Sequence, residues 1–482
     1  MGSIMDRKVW QLLRLVCFAV VLAVGVGLFA LRLNAPFPEK EEARELLATA
    51  VIAEDGVSPA AWPAGVLARR TLFHVLSGGS ACFFGEGEGP YPSRCYRVVP
   101  VLFGALALVS LFALGSQQSK GVYYSPDGGV WAMAFAAVTL GLIWHGVTFG
   151  PYLFEASVLL GMLLAARAYA RWPGYFSAAA FGGLLATLLS LDGNTWWLLI
   201  AFVPAIAIGA GWRRLYLYWQ TLHVALALAV AVGVGSILAQ FGLMGAPTLP
   251  HFEGIGFGES TWFEALWRFL WLCGGGFGVV AWSVLALWCW RRGDRRWARF
   301  FVILFPPIVL GTLCFGVKGC FGVATGVLSA IVLGMALSAV EQPAVRNILG
   351  GLTILALGFG LGWEPDGRIR TWLTREEQRE SLHLLRQARK APRQKPVRVR
   401  VVGGNTVTCA QMLWLLRTER GRVVQGEDFA DDADILIVNE ARLASVTAEA
   451  GRRVLPGVVR TGGGAQFRLF AEQPKEKEKQ DL

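Results

Sequence analysis

Eleven apolar runs dominate this chain, at about 10–33, 98–115, 130–149, 153–170, 175–191, 196–211, 215–242, 266–290, 298–317, 322–340 and 345–363. A run of about 20 apolar residues, wound as a helix, crosses the hydrocarbon core of a bilayer. In lipid every backbone amide must find its partner inside the segment, so such runs can only be helices or strands of a closed barrel, and their length selects helices. The pattern predicts a polytopic α-helical membrane protein of about 11 transmembrane helices. Composition agrees: 16% of the 482 residues are charged, against about a quarter in soluble proteins. The 19 Trp and 29 Phe suit aromatic belts at two lipid interfaces. Arg7 and Lys8 precede the first run, as in a signal peptide, but its apolar core is too long and no small-residue cleavage site follows. It reads as an uncleaved anchor.

The net charge of +11 does not point to nucleic acid, because the basic residues lie in short loops and one C-terminal tract. Their distribution instead gives orientation. Placing the N-terminus inside puts Lys120, Arg167, Arg171, Arg213, Arg214, the arginines between 291 and 299, and Arg346 on the inner side. The short outer loops 150–152, 192–195 and 244–262 then hold no lysine or arginine, and Lys318 stands alone in its own. The expected topology is N-terminus inside, C-terminus outside. The eight Cys and five His show no metal-ligand spacing. Cys82 and Cys95 share an outer loop, where a disulfide and two free thiols are both open.

Two large pieces lie outside on this topology. The first, 34–97, carries Pro38-Glu39-Lys40-Glu41-Glu42-Ala43-Arg44 just past the first span. Acids at that depth suit a general base acting on a polar group while a lipid stays in the bilayer. They also suit a solvated cap at the start of a helix. Helices are expected over Glu41–Ala50 and Val66–Leu76, and irregular chain over Gly78–Ser93. The second piece is the tail. Thr374 and Glu377 form a capping box for a charged helix Thr374–Lys390, and basic linker residues Arg393 and Lys395 follow. Strands are expected at Val397–Val402, Arg422–Gln425 and Asp434–Asn439, helices at Thr406–Arg417 and Glu440–Arg452, and a strand pair near Val458–Ala471. Gly403-Gly404-Asn405 fits an ordinary turn or a phosphate cradle, and the final Glu-Lys-Glu-Lys-Gln-Asp-Leu a disordered end. The expected division is a membrane module 1–363, a linker 364–396 and a small α/β domain 397–482.

Several phrases resemble the GT-C membrane glycosyltransferases, in the bacterial branch similar to protein O-mannosyltransferases and lipid A aminoarabinose transferases. Leu33-Asn34-Ala35-Pro36 followed by Glu41-Glu42-Ala43-Arg44 is similar to that family's Leu-x-Ala-Pro and Asp-Glu-Ala-x-Tyr. Arg69-Arg70-Thr71-Leu72-Phe73-His74 resembles its basic residue, Pro pair and Leu-Tyr-Tyr. Phe84-Gly85-Glu86, with Arg97-Val98-Val99-Pro100 beyond it, resembles the phrase that opens its second span. Glu155 matches an acid opening the fourth span, and Lys318 a late basic residue. The chain departs from the pattern in Glu41 for the leading Asp and in lacking the Pro pair and the Tyr.

The resemblance implies transfer of a sugar, hexosyl or pentosyl, from a polyprenyl-phosphate donor to a lipid, glycan or protein acceptor, with inversion. It implies an outward-facing site in a bacterial inner membrane and a periplasmic tail domain. The acceptor proton must go to a carboxylate: Glu41 is the candidate, with Glu42 beside it. The leaving phosphate needs fixed cations, and Arg69, Arg97 and Lys318 are the candidates. Snorkelling at a span end is the alternative for Arg97, solvation on a helix for Arg69, and contact with a lipid headgroup for Lys318. Glu155, costly at the start of a span unless hydrated or paired, is expected to assist the acceptor or a divalent cation, magnesium or manganese. No cofactor is required by the pattern. Asp192 reads as a turn, His145 and His223 as helix–helix contacts, Glu264 and Arg268 as a helix pair, and Pro306-Pro307 as a kink. Two other readings stay open: a lipid-glycan flippase or transporter, and an inactive relative that binds lipid-linked sugar.

Overall fold

The computed structural model describes residues 2–31, 33, 40–55, 71–85, 93–118, 124–125, 127–139, 141–143, 148–191, 218–240, 266, 269–271, 273–292, 296–315 and 320–362. In the tail it describes 397–402, 423–425, 435–439, 452–454, 459–460 and 466–472. One compact unit comprises Met1–Arg32, Leu67–Phe73 and Val99–Glu364; the other comprises Leu33–Val66, His74–Val98 and Pro365–Leu482. The described helices are α1 (Gly2–Phe29), α2 (Lys40–Asp55), α3 (Thr71–Phe84), α4 (Ser93–Gly115), α5 (Asp127–Val138), α6 (Tyr152–Arg171) and α7 (Tyr175–Leu191). They continue with α8 (Tyr218–Gln240), α9 (Gly275–Arg292), α10 (Arg296–Phe315), α11 (Cys320–Ser338) and α12 (Pro343–Gly362).

Every predicted span except 196–211, which lies outside the described residues, has a helix at its place. Five are long and apolar enough to cross a membrane by themselves: Leu12–Phe29, Arg94–Gly115, Tyr152–Tyr169, Thr221–Gln240 and Phe321–Ser338. This is a multi-pass membrane protein. Burial sorts its spans into centre and rim. The Phe321–Ser338 span buries 94% of its residues, against 11% for Leu12–Phe29 and 17% for Thr221–Gln240. Helix α11 is therefore the axis of the first unit, packed by α5, α6, α9 and α10. The approach to α5 is so close that a Cβ on Gly334 would fall on the Gly128 carbonyl oxygen, with Ala132 Cβ 2.8 Å away. Without a hydrophobic drive between helices in lipid, such small-residue contacts hold a bundle by dispersion.

Two expected spans are interrupted. The run 130–149 is helical to Val138 and again at 141–143, with a break at Thr139. There Thr139 turns its hydroxyl back to the Phe135 carbonyl at 2.8 Å, and its amide tightens onto the Ala136 carbonyl at 3.2 Å. A β-branched residue that bonds its own preceding turn competes with continuation of the helix. The run 266–290 is helical at 266 and 269–271 and again from Gly275; between the two pieces Gly274 takes φ 58, a conformation open mainly to glycine. A short antiparallel pair, β1 (Gln117–Gln118) with β2 (Tyr124–Ser125), was not expected in the loop after α4.

Pro306 lies inside α10 and brings no N–H to the Val302 carbonyl four residues back. The indole Nε1 of Trp282, on α9, donates to that oxygen at 2.9 Å. The proline thus creates an acceptor that ties two helices together. Trp282→Phe keeps an aromatic ring, though a smaller one, and removes the donor, and is expected to cost about 1–3 kcal/mol. Thermal unfolding in detergent micelles would register it as a lowered midpoint. Elsewhere in this unit Arg167 of α6 caps α4: Nη1 donates to the Ala113 and Leu114 carbonyls and Nη2 to that of Ser116 at 2.6 Å. A cation on the last carbonyls of a helix also offsets its dipole. His223 meets Tyr169 Oη at 3.2 Å through Nδ1 and lies edge-on to Tyr175 at 4.6 Å, a contact among α6, α7 and α8.

In the second unit the tail forms one sheet of β3 (Val397–Val402), β4 (Val423–Gln425), β5 (Ile435–Asn439), β6 (Arg452–Val454), β7 (Val459–Arg460) and β8 (Gln466–Glu472). The order is β4-β3-β5-β8-β6, with β7 on β8; β3 runs parallel to β4 and β5, and β8 antiparallel to β5. Leu436, Ile437 and Val438 of β5 are almost wholly buried. That fits a central strand flanked on both sides, for which an unbroken apolar run is expected. Arg452 opens β6 instead of closing a helix. The segments 374–390, 403–417 and 440–451, with their expected helices and the Gly-Gly-Asn turn, lie outside the described residues, as does the C-terminal end.

Candidate functional site

Helix α2 begins with the acidic cluster and runs on to Asp55, five residues beyond the expected end. Acids in its first turn favour the dipole, and the alanine-rich body has high helix propensity. Its buried face carries Glu42, Glu45 and Thr49 at i, i+3 and i+7, with Ala43, Leu46 and Ala50 around them. A polar stripe on the inner face of a helix is costly unless partners wait for it. They do.

Glu42 receives Arg97, from the second turn of α4. The guanidinium donates to Glu42 Oε1 from Nε at 2.8 Å and lies within 2.6 Å through Nη2. Both side chains are buried, 2% and 3% exposed as residues. A cation so near the N-terminus of α4 opposes that helix's dipole, and the carboxylate offsets it. Glu45 and Thr49 receive His74 of α3, 1% exposed: its Nε2 is 3.1 Å from Glu45 Oε2 and its Nδ1 2.8 Å from Thr49 Oγ1. The Thr49 hydroxyl also reaches the Glu45 carbonyl at 2.8 Å.

Helix α3 starts at Thr71 and continues through Gly78 to Phe84, where irregular chain was expected. Gly78 is helical because tertiary packing overrides its local propensity: it lies against α2, where a Cβ would meet the Thr49 carbonyl oxygen at 3.4 Å, an ordinary van der Waals contact. Cys82 and Cys95 are free thiols, directed at different carbonyls, those of Ala53 and Phe84.

Of the residues singled out from sequence, Glu42 and Arg97 meet. Glu41 lies in the first turn of α2, next to Glu42. Glu155 belongs to the other unit, in the first turn of α6, 3% exposed, with its amide on the Pro151 carbonyl at 2.8 Å. Arg69 and Lys318 lie outside the described residues, as do His145, Asp192, Glu264 and Arg268. Sequence reasoning passed over Glu45, Thr49 and His74. The i, i+3, i+7 spacing of Glu42, Glu45 and Thr49 was the available signal. No group of three or more His, Cys, Asp or Glu placed to hold a metal ion occurs among the described residues.

No protein-family model matches the sequence, and no curated protein does. Solved structures match along the whole chain. ArnT of Cupriavidus metallidurans in the apo state superposes with a TM-score of 0.61 at 13% identity, covering 98% of this chain and 100% of that one. The same enzyme bound to undecaprenyl phosphate gives 0.59 at 13% identity, over 97% and 99%. The fold is that of the GT-C glycosyltransferases. A second GT-C structure, the oligosaccharyltransferase AglB of Archaeoglobus fulgidus in complex with an inhibitory peptide and a dolichol-phosphate, matches with a TM-score of 0.51 at 13% identity, over 90% of this chain and 70% of that one. Within this GT-C fold, α2 is the helix that follows the first span and carries the acidic pair.

Proposed function

We propose that the protein transfers a sugar from a polyprenyl-phosphate donor to an acceptor at the outer face of a bacterial inner membrane, with inversion. The observation that carries this reading is the match over 97% of the chain to a GT-C structure bound to undecaprenyl phosphate. In this reading the N-terminus is cytoplasmic, and the tail sheet belongs to a domain, 397–482, outside the membrane module 1–363. Glu41 takes the acceptor proton as the oxygen or nitrogen attacks. Glu42 has its Oε1 committed to Arg97, so its task is to fix α2. Arg97 enters first as that anchor, and Arg69 and Lys318 supply positive charge to the leaving phosphate. Glu155 orients the acceptor. A divalent cation, if the reaction uses one, would be held by Glu155 and the donor phosphate.

The test is sugar release from undecaprenyl-phosphate-linked aminoarabinose, mannose and glucose by the purified protein in lipid nanodiscs. Turnover of any of these is expected. Donor binding without release would make the chain an inactive relative, and neither binding nor release would leave only the architecture in common.

A further inference from the structure

Beyond the acidic pair, the second unit buries an ionisable group to which no step above gives a task. We propose that His74 is a positioning residue: it holds the helix that carries Glu41 and Glu42 by donating from Nε2 to Glu45, one helical turn beyond Glu41. The proposal rests on the transferase reading only where it predicts turnover.

Hydrogen-bond bookkeeping carries it. Nε2 faces Glu45 Oε2 at 3.1 Å, and an ionised carboxylate only accepts, so Nε2 must carry a hydrogen. Nδ1 faces a hydroxyl at 2.8 Å that can serve it in either role. If Nδ1 is bare, Thr49 donates to it. If Nδ1 is protonated, Thr49 accepts from it and turns its own hydrogen to the Glu45 carbonyl at 2.8 Å. The contact to Glu45 is thus the same in both protonation states of the ring. It is independent of the Arg97 contact to Glu42, since the two acceptors sit three residues apart on α2 and the donors come from α3 and α4. Two anchors on one face fix the rotation of α2 about its axis, as one would not. Rotation is what decides where Glu41 is aimed, because neighbouring side chains diverge by about 100° around a helix.

Three variants of the full-length protein in nanodiscs test this. His74→Leu removes the donor, His74→Gln restores one neutral N–H at about the reach of Nε2, and Glu45→Ala removes the acceptor should His74→Leu not fold. Two readouts are used: steady-state kinetics with the undecaprenyl-phosphate sugar that the wild type turns over, and hydrogen exchange over Lys40–Asp55. His74→Leu and Glu45→Ala are expected to lower kcat by about 10²-fold, the scale of a misplacement of roughly 1 Å, with the donor KM within about twofold. Exchange in α2 should quicken at least about tenfold, and His74→Gln should return both readouts most of the way. Wild-type exchange in His74→Leu, or a His74→Gln as impaired as His74→Leu, would overturn the proposal. Should the wild type turn over no donor, the transferase reading fails while exchange still decides whether His74 holds α2.

Discussion

Glu41→Gln is expected to lower turnover by about 10²–10⁴-fold, the usual contribution of a positioned general base, while donor binding in nanodiscs stays within about twofold of wild type. Glutamine keeps the shape and hydrogen-bonding reach of the side chain and loses only the ability to take a proton at neutral pH. Single-turnover release separates the chemical step from binding, so a loss confined to that step assigns the proton transfer to this position. Unchanged release would place the base elsewhere. The same substitution one residue on should behave differently, because Glu42 faces Arg97 and not solvent. Glu42→Gln is expected to show itself first as instability.

The largest effect on stability should come from the other half of that pair. Arg97→Met leaves a buried carboxylate with its guanidinium gone, and breaking a buried ion pair from one side costs about 3–5 kcal/mol. Glu42→Leu together with Arg97→Met removes both charges, and such apolar replacement is often neutral or stabilising. The double variant should therefore be much more stable than Arg97→Met alone. Unfolding free energies of the four proteins, wild type, two singles and the double, give the coupling free energy. Additive losses would mean that the contact contributes nothing specific. Activity gives a second, separate result: if the pair exists to aim α2, the double variant folds and still turns over slowly.

The spans were legible because each is a long apolar run whose meaning depends only on its own residues and on lipid. What was hidden lay wherever a distant partner or a single dihedral decides. Nothing around residue 139 announces that a threonine hydroxyl will close α5, nor does a glycine in Cys273-Gly274-Gly275-Gly276 state which of its neighbours will take positive φ. Gly78 and Gly79 look like breakers and become helix because α2 lies against one of them. Around α2 the acidic cluster was visible, but adjacent acids look alike in sequence. That Glu42 is held inside is settled by an arginine 55 residues away. His74 sat in a phrase set against a basic residue, a Pro pair and Leu-Tyr-Tyr, and its role depends on two α2 side chains that no local pattern links to it. The tail strands were readable from alternation and from the apolar run of β5, whereas the register and order of the sheet were not.

The placement of α11 has a consequence for how the chain is made. The helix around which the first unit packs is among the last to be synthesised, some 190 residues after α5, its tightest neighbour. At about 5–20 residues per second, α5 is in the membrane for on the order of 10–40 seconds before the glycine face it fits has left the ribosome. During that interval the earlier helices can insert but cannot adopt their final arrangement, since its centre does not yet exist. Assembly of this bundle is therefore a closing event late in translation, and a ribosome stalled before residue 320 would hold α6, α7 and α8 able to pack on one another but α5 without its partner α11.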